Sequence, residues 1–195
     1  EFVTIGWSGG GPHALACAAL LPQRCRAAAI IAGVAPYNAD GLDWLAGMGA
    51  ENVAEFGAAA TGVDALDGFL AENGAGLKDL QPADVVAAFG DLLSAVDQQA
   101  LRDGLAGYLA EACRAAVSHG YDGWRDDDLA FIADWGVDLA SIRVPVSIWQ
   151  GDQDRMVPFA HGQWLAAAIP GARVHLMPGD GHLSMTVSAF DRILD

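Results

Sequence analysis

The stretch that decides the fold is residues 1–12, Glu-Phe-Val-Thr-Ile-Gly-Trp-Ser-Gly-Gly-Gly-Pro. Residues 2–5 are apolar and β-prone, and an alanine-rich helical stretch follows at 12–21. Between them lies Gly-x-Ser-x-Gly, with Ser8 at its centre. This arrangement is typical of a nucleophile elbow, the tight strand-to-helix turn that lifts a serine hydroxyl clear of the backbone. Small neighbours are needed because the serine backbone is strained and the helix passes close to adjacent strands.

The other strand-like segments predict an α/β fold with one parallel sheet. Residues 27–34 are a continuous apolar run of strand length, so residues 2–34 form a predicted β-α-β unit. Strand character returns in the last third of the chain, where two predicted strands alternate with two predicted helices: 144–149, 160–168, 173–177 and 184–194. The sheet is therefore expected to contain strands from both ends of the chain.

The middle of the chain, residues 37–143, has a different character. It shows helical spacing of Leu, Val, Phe and Ala among acidic residues, punctuated by glycines. Helical segments are predicted at 52–60, 63–72, 82–93, 97–117 and 126–133. We expect an inserted all-α cap at 37–143 and an α/β core formed by 1–36 and 144–195.

Two polar residues follow the later strands and complete a candidate catalytic set. Asp154 comes after the strand at 144–149, and His182 after the strand at 173–177. Sites in open α/β sheets form beyond the carboxyl ends of the strands, so both are expected near Ser8. A serine hydroxyl needs a base to take its proton as it attacks. His182 is predicted to be that base, with Asp154 holding its imidazole in one tautomer.

These motifs resemble those of α/β-hydrolase-fold enzymes with a helical cap, from the elbow strand onward. The matching segments are Gly-Trp-Ser-Gly-Gly at 6–10, Gly-Asp-Gln-Asp-Arg-Met-Val-Pro at 151–158, and Gly-His at 181–182. The resemblance implies the chain order serine, acid, histidine, which this chain follows. The family pattern Gly-x-x-Asp-x-x-Val-Pro selects Asp154 over Asp152 as the acid.

The resemblance also implies a class of reaction. Its dehalogenase and epoxide-hydrolase branches use aspartate as nucleophile, which the serine argues against. What remains includes ester, lactone and thioester hydrolysis, carbon–carbon hydrolysis, cofactor-free peroxidation and acyl transfer. We expect hydrolysis of a small, neutral, largely apolar acyl substrate through an acyl-enzyme, without a cofactor. The alternative is a non-catalytic ligand-binding module, or an inactive fragment that retains the fold.

Two neighbours of Ser8 have expected roles. The Gly9 N–H is predicted to donate one oxyanion-hole hydrogen bond. Trp7 is a candidate for the substrate-binding wall, with simple packing as the other interpretation. In the family that the chain resembles, the second oxyanion donor comes from an upstream loop that these 195 residues do not include. We therefore expect the chain by itself to be catalytically impaired, or to pair with itself or a partner segment through the apolar edge at 2–5.

The net charge and the cysteine content restrict the classes of partner and ligand that we expect for this protein. The net charge is −15, and residues 37–143 hold 19 acidic and 5 basic side chains. Such a surface repels nucleic acid and anionic membranes, so neither is an expected partner. No apolar run is long enough to span a membrane. The three cysteines have no CxxC or metal-ligand spacing, which predicts no metal site and free thiols in a reducing, cytoplasmic compartment.

Other polar residues have structural explanations. Asp152 is expected to cap a loop rather than act as a second catalytic acid. The acidic run at 126–128 lacks an EF-hand pattern, and a helix N-terminus explains it better. Asp97 is a weak helix-cap candidate. His13, one turn into the elbow helix, is expected to pack or to face solvent.

Overall fold

Four strands form one parallel sheet in the computed structural model. The structure describes residues 1–194, except for the side chain of residue 103. The strands are β1 (Phe2–Trp7), β2 (Cys25–Ile31), β3 (Val146–Gly151) and β4 (Arg173–Met177). They lie in the order β1-β2-β3-β4, and each neighbouring pair is parallel. The predicted α/β fold with a parallel sheet is confirmed.

Helices follow or separate these strands throughout the described chain. They are α1 (Gly10–Leu20), α2 (Ala50–Thr61), α3 (Val63–Gly74), α4 (Val85–Phe89), α5 (Ala95–Ala100), α6 (Ala106–Ala116), α7 (Asp122–Ile132), α8 (Phe159–Ala168), α9 (Ser184–Ser188) and α10 (Phe190–Leu194). Helices α2–α7 all lie within 37–143, and the described residues of that segment contribute no strand to the sheet. The division of the chain into a core and a cap stays a prediction.

Three predicted helices are shorter in the structure than their spacing suggested. The segment 82–93 is helical only in part, because Gly90 has a φ of +46° and ends α4. The segment 97–117 is divided by a π-helical turn in which Gly104 has a φ of +125°. The closing helix is two short helices, α9 and α10. Periodicity predicted these segments as single helices because it does not reveal which glycines adopt positive φ.

One face of the sheet carries the main core. Ile30 of β2 and Ile148 of β3 are partners in register and almost fully buried. They belong to one cluster with Leu15 of α1 and Leu165 of α8, which are also fully buried. Burial of each such side chain contributes about 1.5–3 kcal/mol. This core fixes the elbow strand, the elbow helix and the strand that leads to Asp154 in one rigid layer.

The opposite face is covered unevenly. Trp149 of β3, Met185 of α9 and Ala189 form a buried cluster over the carboxyl ends of the strands. On β1, which is an edge strand of the described sheet, Val3 and Ile5 are 66% and 46% exposed. The apolar edge expected from the sequence is present, and its pairing with a partner stays a prediction.

A buried histidine ties α8 to the segment before the cap helices. The Nδ1 atom of His161 accepts a hydrogen bond from the Ala35 N–H at 3.1 Å. Its Nε2 therefore carries the hydrogen and donates to the Trp44 carbonyl oxygen at 2.9 Å. Burial lowers the pKa of His161 from its ordinary value. The neutral ring is thus built into the core as both an acceptor and a donor.

We expect this histidine to make stability depend on pH. Below about pH 6.5 the unfolded chain binds a proton at residue 161 that the folded chain does not, so the free energy of unfolding falls as the pH decreases. The slope approaches about 1.4 kcal/mol per pH unit. His175 acts in the same direction, because burial and the nearby Arg192 lower its pKa. Urea unfolding at several pH values between about 5 and 7 measures the combined slope.

Substitution of His161 separates its contribution to the pH dependence of stability from that of His175. The variant His161→Gln is expected to be less stable and to have a shallower slope, whereas His119→Gln at an exposed position keeps the slope of the parent chain. An NMR titration in which the His161 ring protonates at its ordinary pKa would contradict the prediction without requiring a variant.

Candidate active site

Ser8 lies on a tight turn between β1 and α1. Its φ is +55°, a left-handed conformation that costs a non-glycine residue about 1–3 kcal/mol. The Ser8 N–H donates to the Ile31 carbonyl oxygen at 2.8 Å, and the Gly11 N–H donates to the Ser8 carbonyl oxygen at 2.9 Å. A Cβ atom on Gly6 would lie 2.2 Å from the Gly10 carbonyl oxygen. The turn therefore requires glycine at position 6, as the motif predicted.

His182 and Asp154 form a buried pair. The His182 Nδ1–H donates to Asp154 Oδ2 at 2.8 Å, and the two side chains are almost inaccessible to solvent. The other Asp154 oxygen, Oδ1, accepts from the backbone N–H groups of Met156 and Val157 at 2.9 and 2.8 Å. Gln150 donates to Oδ2 from its Nε2. The carboxylate is thus held in one orientation and leaves His182 Nε2 as the free imidazole nitrogen.

Within the described chain, Ser8 makes no direct hydrogen bond to this pair. Among the described residues, none accepts from or donates to the Ser8 hydroxyl within hydrogen-bond distance. The residue before it, Trp7, places its ring 5.4 Å from the His182 ring, centroid to centroid. Ser8 therefore follows directly on a residue that contacts the imidazole. Such bonds are often long before a substrate binds.

A cavity of about 700 Å³ lies between the elbow and the helices of the 37–143 segment. Ser8 and Gly9 form part of its wall, and the rest comes mainly from α2, α3, α4, α6 and α7. The apolar part of the wall includes five aromatic rings: Phe56, Phe69, Phe89, Trp124 and Phe131. Trp7 is outside this wall, against His182, so the structure gives it a packing contact and no contact with the cavity. The volume suits a small-molecule ligand.

Gly9 occupies the N-terminal end of α1. Its backbone N–H has no acceptor among the described residues, and the partial positive charge of a helix N-terminus favours a negative oxygen there. A Cβ atom on Gly9 would lie 2.8 Å from Phe131 Cζ. Glycine at this position therefore leaves room between the elbow and α7.

Comparison with known proteins identifies the family. A family model described as the alpha/beta hydrolase fold matches residues 1–188. The chain belongs to the α/β-hydrolase family. The sequence resemblance is thereby confirmed, and the chain is a member of a hydrolase family that includes esterases.

Three relatives show how much of an α/β-hydrolase the chain spans. A pimeloyl-[acyl-carrier protein] methyl ester esterase from Aromatoleum aromaticum is 30% identical over 189 residues, covering 93% of this chain and 67% of the relative. The crystal structure of a bromoperoxidase from Bacillus anthracis matches with a TM-score of 0.60 and 22% identity, over 98% of this chain and 63% of that one. An α/β-hydrolase fold protein from Nakamurella multipartita matches with a TM-score of 0.54 and 25% identity, over 93% and 62%. The chain thus spans less than two thirds of the length of both solved structures.

Asp97 of this α/β-hydrolase has a larger role than the weak helix cap that the sequence predicted. It is fully buried on α5, where Oδ1 accepts from the N–H groups of Leu183 and Ser184 at 2.8 and 2.9 Å. Oδ2 accepts from the His182 N–H at 3.1 Å and from the Ser94 hydroxyl at 2.8 Å. Asp97 therefore anchors the loop that carries His182. The spacing Ser94-x-x-Asp97 is a capping signal visible in sequence, but the loop it binds lies 85 residues away.

The remaining polar candidates are placed as follows. Asp152 is exposed and accepts from the Gly179 N–H and the Gln153 side chain, so it caps a loop as expected. His13 is exposed and lies 3.2 Å from Asp127. The interpretation of 126–128 as a helix N-terminus was wrong, because α7 already begins at Asp122. The run lies in the second turn, where the helical twist turns Asp128 inward.

Three further features concern the cysteines, possible metal ligands and membrane-spanning helices. The three cysteines are free, and burial raises the pKa of Cys25 and of Cys113, which is in the cavity wall. Within residues 1–194 no cluster of His, Cys, Asp and Glu side chains is arranged to hold a metal ion. No helix in that range combines the length and apolarity needed to cross a membrane.

Proposed function

We propose that this chain carries the catalytic residues of a serine hydrolase that cleaves an ester, lactone, thioester or similar acyl substrate. The observation that supports this most strongly is the buried His182–Asp154 pair, which leaves Nε2 as the free imidazole nitrogen and whose imidazole contacts Trp7, the residue directly before Ser8. The strained Ser8 backbone is a second support. Strain of this kind persists where the surrounding structure holds a functional group in place.

In the proposed reaction, Ser8 Oγ attacks the substrate carbonyl carbon while His182 Nε2 takes the hydroxyl proton. The carbonyl double bond becomes a single bond to an oxyanion, which accepts a hydrogen bond from the Gly9 N–H. The tetrahedral intermediate then expels the alcohol or thiol, which receives the proton from His182, and an acyl-serine remains. Water, deprotonated by His182, attacks the acyl-serine and releases the acid and free Ser8. Asp154 stabilises the imidazolium formed in both halves.

The substrate class follows from the cavity and the relatives. The walls are largely apolar and aromatic, which fits a small acyl compound. The esterase from Aromatoleum aromaticum acts, by its name, on a methyl ester, and we extend only ester hydrolysis to this chain. Because the chain spans 67% of that relative, the activity of the whole protein is part of the proposal.

Covalent labelling tests the proposal and does not require turnover. A fluorophosphonate probe is expected to form one adduct, located at Ser8 by mass spectrometry. Labelling should disappear in Ser8→Ala and persist in Ser118→Ala, a control at an exposed serine. A folded chain that resists the probe, or an adduct at another serine, would favour the alternative of a ligand-binding module that retains the hydrolase fold.

A further inference from the structure

The ring of Phe131 lies against the residue that follows Ser8. Phe131 belongs to α7, whereas Gly9 is at the N-terminal end of α1. A Cβ atom on Gly9 would lie 2.8 Å from Phe131 Cζ and 3.3 Å from Cε2, so the tip of the ring is in contact with the elbow backbone. Ser8, Gly9 and Phe131 all line the same cavity. The ring therefore bounds the cavity beside the nucleophile.

Phe131 is held in place by a row of buried aromatic side chains. Its ring packs edge-to-face on Phe56, with ring centroids 6.4 Å apart, and Phe56 packs on Trp44 at 4.6 Å. Trp44 packs in turn on His161, and its Nε1–H donates to the Ala35 carbonyl oxygen at 2.7 Å. The phenylalanine and tryptophan rings of this row are 8% exposed or less. In a close-packed interior such a ring cannot move aside without displacing its neighbours.

Phe131 and His182 lie against different neighbours of Ser8. The His182 ring contacts Trp7, the residue before the serine, with 5.4 Å between ring centroids. Phe131 contacts Gly9, the residue after it. In the proposed reaction the leaving oxygen lies within hydrogen-bond reach of His182 Nε2, which protonates it. The acyl group is then directed towards the Gly9 side, where Phe131 lies.

The cavity is not narrow throughout. Its volume is about 700 Å³, and several positions of its wall carry a small side chain or none: Ala88, Ala116, Gly120 and Gly123. A straight acyl chain that passes Phe131 therefore has room to extend. A second substituent on the carbon next to the carbonyl would instead be directed at the fixed ring.

We propose that Phe131 determines the acyl specificity of the hydrolase by excluding branches on the carbon next to the scissile carbonyl, so that the preferred substrates are esters of straight-chain acids. This inference rests on the function proposed above. A mismatch of one methylene group in an apolar pocket changes kcat/KM by roughly 10- to 200-fold. Phe131 thus selects the substrate and takes no part in making or breaking bonds.

Two isomeric esters test this limit in the parent chain. The esters p-nitrophenyl butyrate and p-nitrophenyl isobutyrate have the same atoms and the same leaving group, and they differ only in the branch. After division by the rates of alkaline hydrolysis, kcat/KM is expected to favour the butyrate by at least about tenfold. In Phe131→Ala this normalised ratio should fall towards unity. A ratio near unity in the parent chain, or an unchanged ratio in Phe131→Ala, would overturn the proposal.

Two further variants separate the ring from the rest of the wall. Phe69→Ala removes another aromatic ring of the cavity, one that belongs to α3 and packs against Leu66 and Leu70. It is expected to keep the ratio of the two isomers, whatever its effect on the rate. Phe131→Leu keeps an apolar side chain at the buried position and shortens its reach, so the ratio should fall there even if Phe131→Ala folds poorly. Loss of the ratio in Phe69→Ala but not in Phe131→Leu would assign the specificity to another part of the wall.

A double-mutant cycle tests whether the ring is fixed. Gly9 has a helical φ of −56°, so alanine suits its backbone, and the obstacle to a Cβ atom there is Phe131. Gly9→Ala is expected to lower the free energy of unfolding in the parent chain and to be neutral or stabilising in Phe131→Leu. Urea unfolding measures both. Equal losses in the two backgrounds would show that the ring moves aside, and would overturn the proposal.

Binding to Ser8→Ala tests the size limit without any catalytic step. Butyranilide and isobutyranilide are isomeric amides that are stable in water, and calorimetry is expected to show about tenfold tighter binding of the straight-chain isomer. Equal affinity, or no binding of either, would overturn the role of Phe131. Fluorophosphonate labelling of Ser8 without discrimination between the isomers overturns only that role. Discrimination by Ser8→Ala, when the parent chain resists the label, overturns only the hydrolase.

Discussion

Replacing Asp154 with asparagine is expected to lower kcat for hydrolysis of a p-nitrophenyl ester by about 10,000-fold, the effect this change has in serine proteases. The remaining side-chain oxygen would keep the two backbone donors of Met156 and Val157. The new NH₂ group would face His182 Nδ1, which must then accept rather than donate. The imidazole hydrogen moves to Nε2, so the ring can no longer take the Ser8 proton. The fold should persist, with some loss of stability because the same NH₂ also faces Gln150 Nε2.

Asp152→Asn is the matched control, two residues earlier in the same loop. Its exposed carboxylate accepts from Gly179 and Gln153 and has no contact with His182, so kcat should be unchanged. Circular dichroism melting of both variants verifies folding. A large loss in Asp152→Asn together with normal turnover in Asp154→Asn would show that the catalytic acid has been assigned to the wrong residue.

Replacing Asp97 with alanine is expected to destabilise the fold by about 3–5 kcal/mol and to impair catalysis as well. The change leaves the buried N–H groups of His182, Leu183 and Ser184 without an acceptor. Each unsatisfied buried donor costs about 1–3 kcal/mol. Since those groups belong to the loop carrying His182, the imidazole should also lose its fixed position. Asp97→Asn retains an oxygen for two of the donors and is expected to rescue both properties in part.

Urea unfolding measures the loss of stability in Asp97→Ala. The rate of fluorophosphonate labelling at Ser8 measures how far His182 has lost its fixed position. Asp84→Ala is the control, because this cap carboxylate is exposed and makes no side-chain capping hydrogen bond. A positioning role predicts that labelling slows under conditions where Asp97→Asn is fully folded. Unchanged stability and labelling in Asp97→Ala would refute it.

The elbow and the parallel sheet were predictable because their signals are local. Gly-x-Ser-x-Gly needs small residues at fixed offsets from Ser8, and a strand buried on both faces needs a continuous apolar run. The strand at Arg173–Met177 has the predicted bounds, and β2 differs by two or three residues at each end. The spacing of apolar residues predicted the helices of the 37–143 segment, but it did not predict that they are interrupted at Gly90 and Gly104.

Some residues of the candidate site could likewise be identified from sequence, whereas others could not. Asp154 and His182 could be selected from sequence because each follows a strand within a recognisable motif, although the motifs lie 28 residues apart. Asp97 could not be selected for its role, since the amide groups it binds are fixed only when α5 packs against the loop after β4. The burial of Asp128 had no distinguishing signal, because an acid in a helix rich in acids resembles a solvated surface residue in sequence.

The sequence by itself thus determined the family, the elbow and the order of the catalytic candidates, because each depends on residue types at short, fixed spacings. Only the tertiary structure decided which carboxylates are buried and which backbone donors they receive. Those properties arise from the loss of solvent and from contacts between distant segments. A carboxyl group acquires a raised pKa or an anchoring role only when packing removes its water.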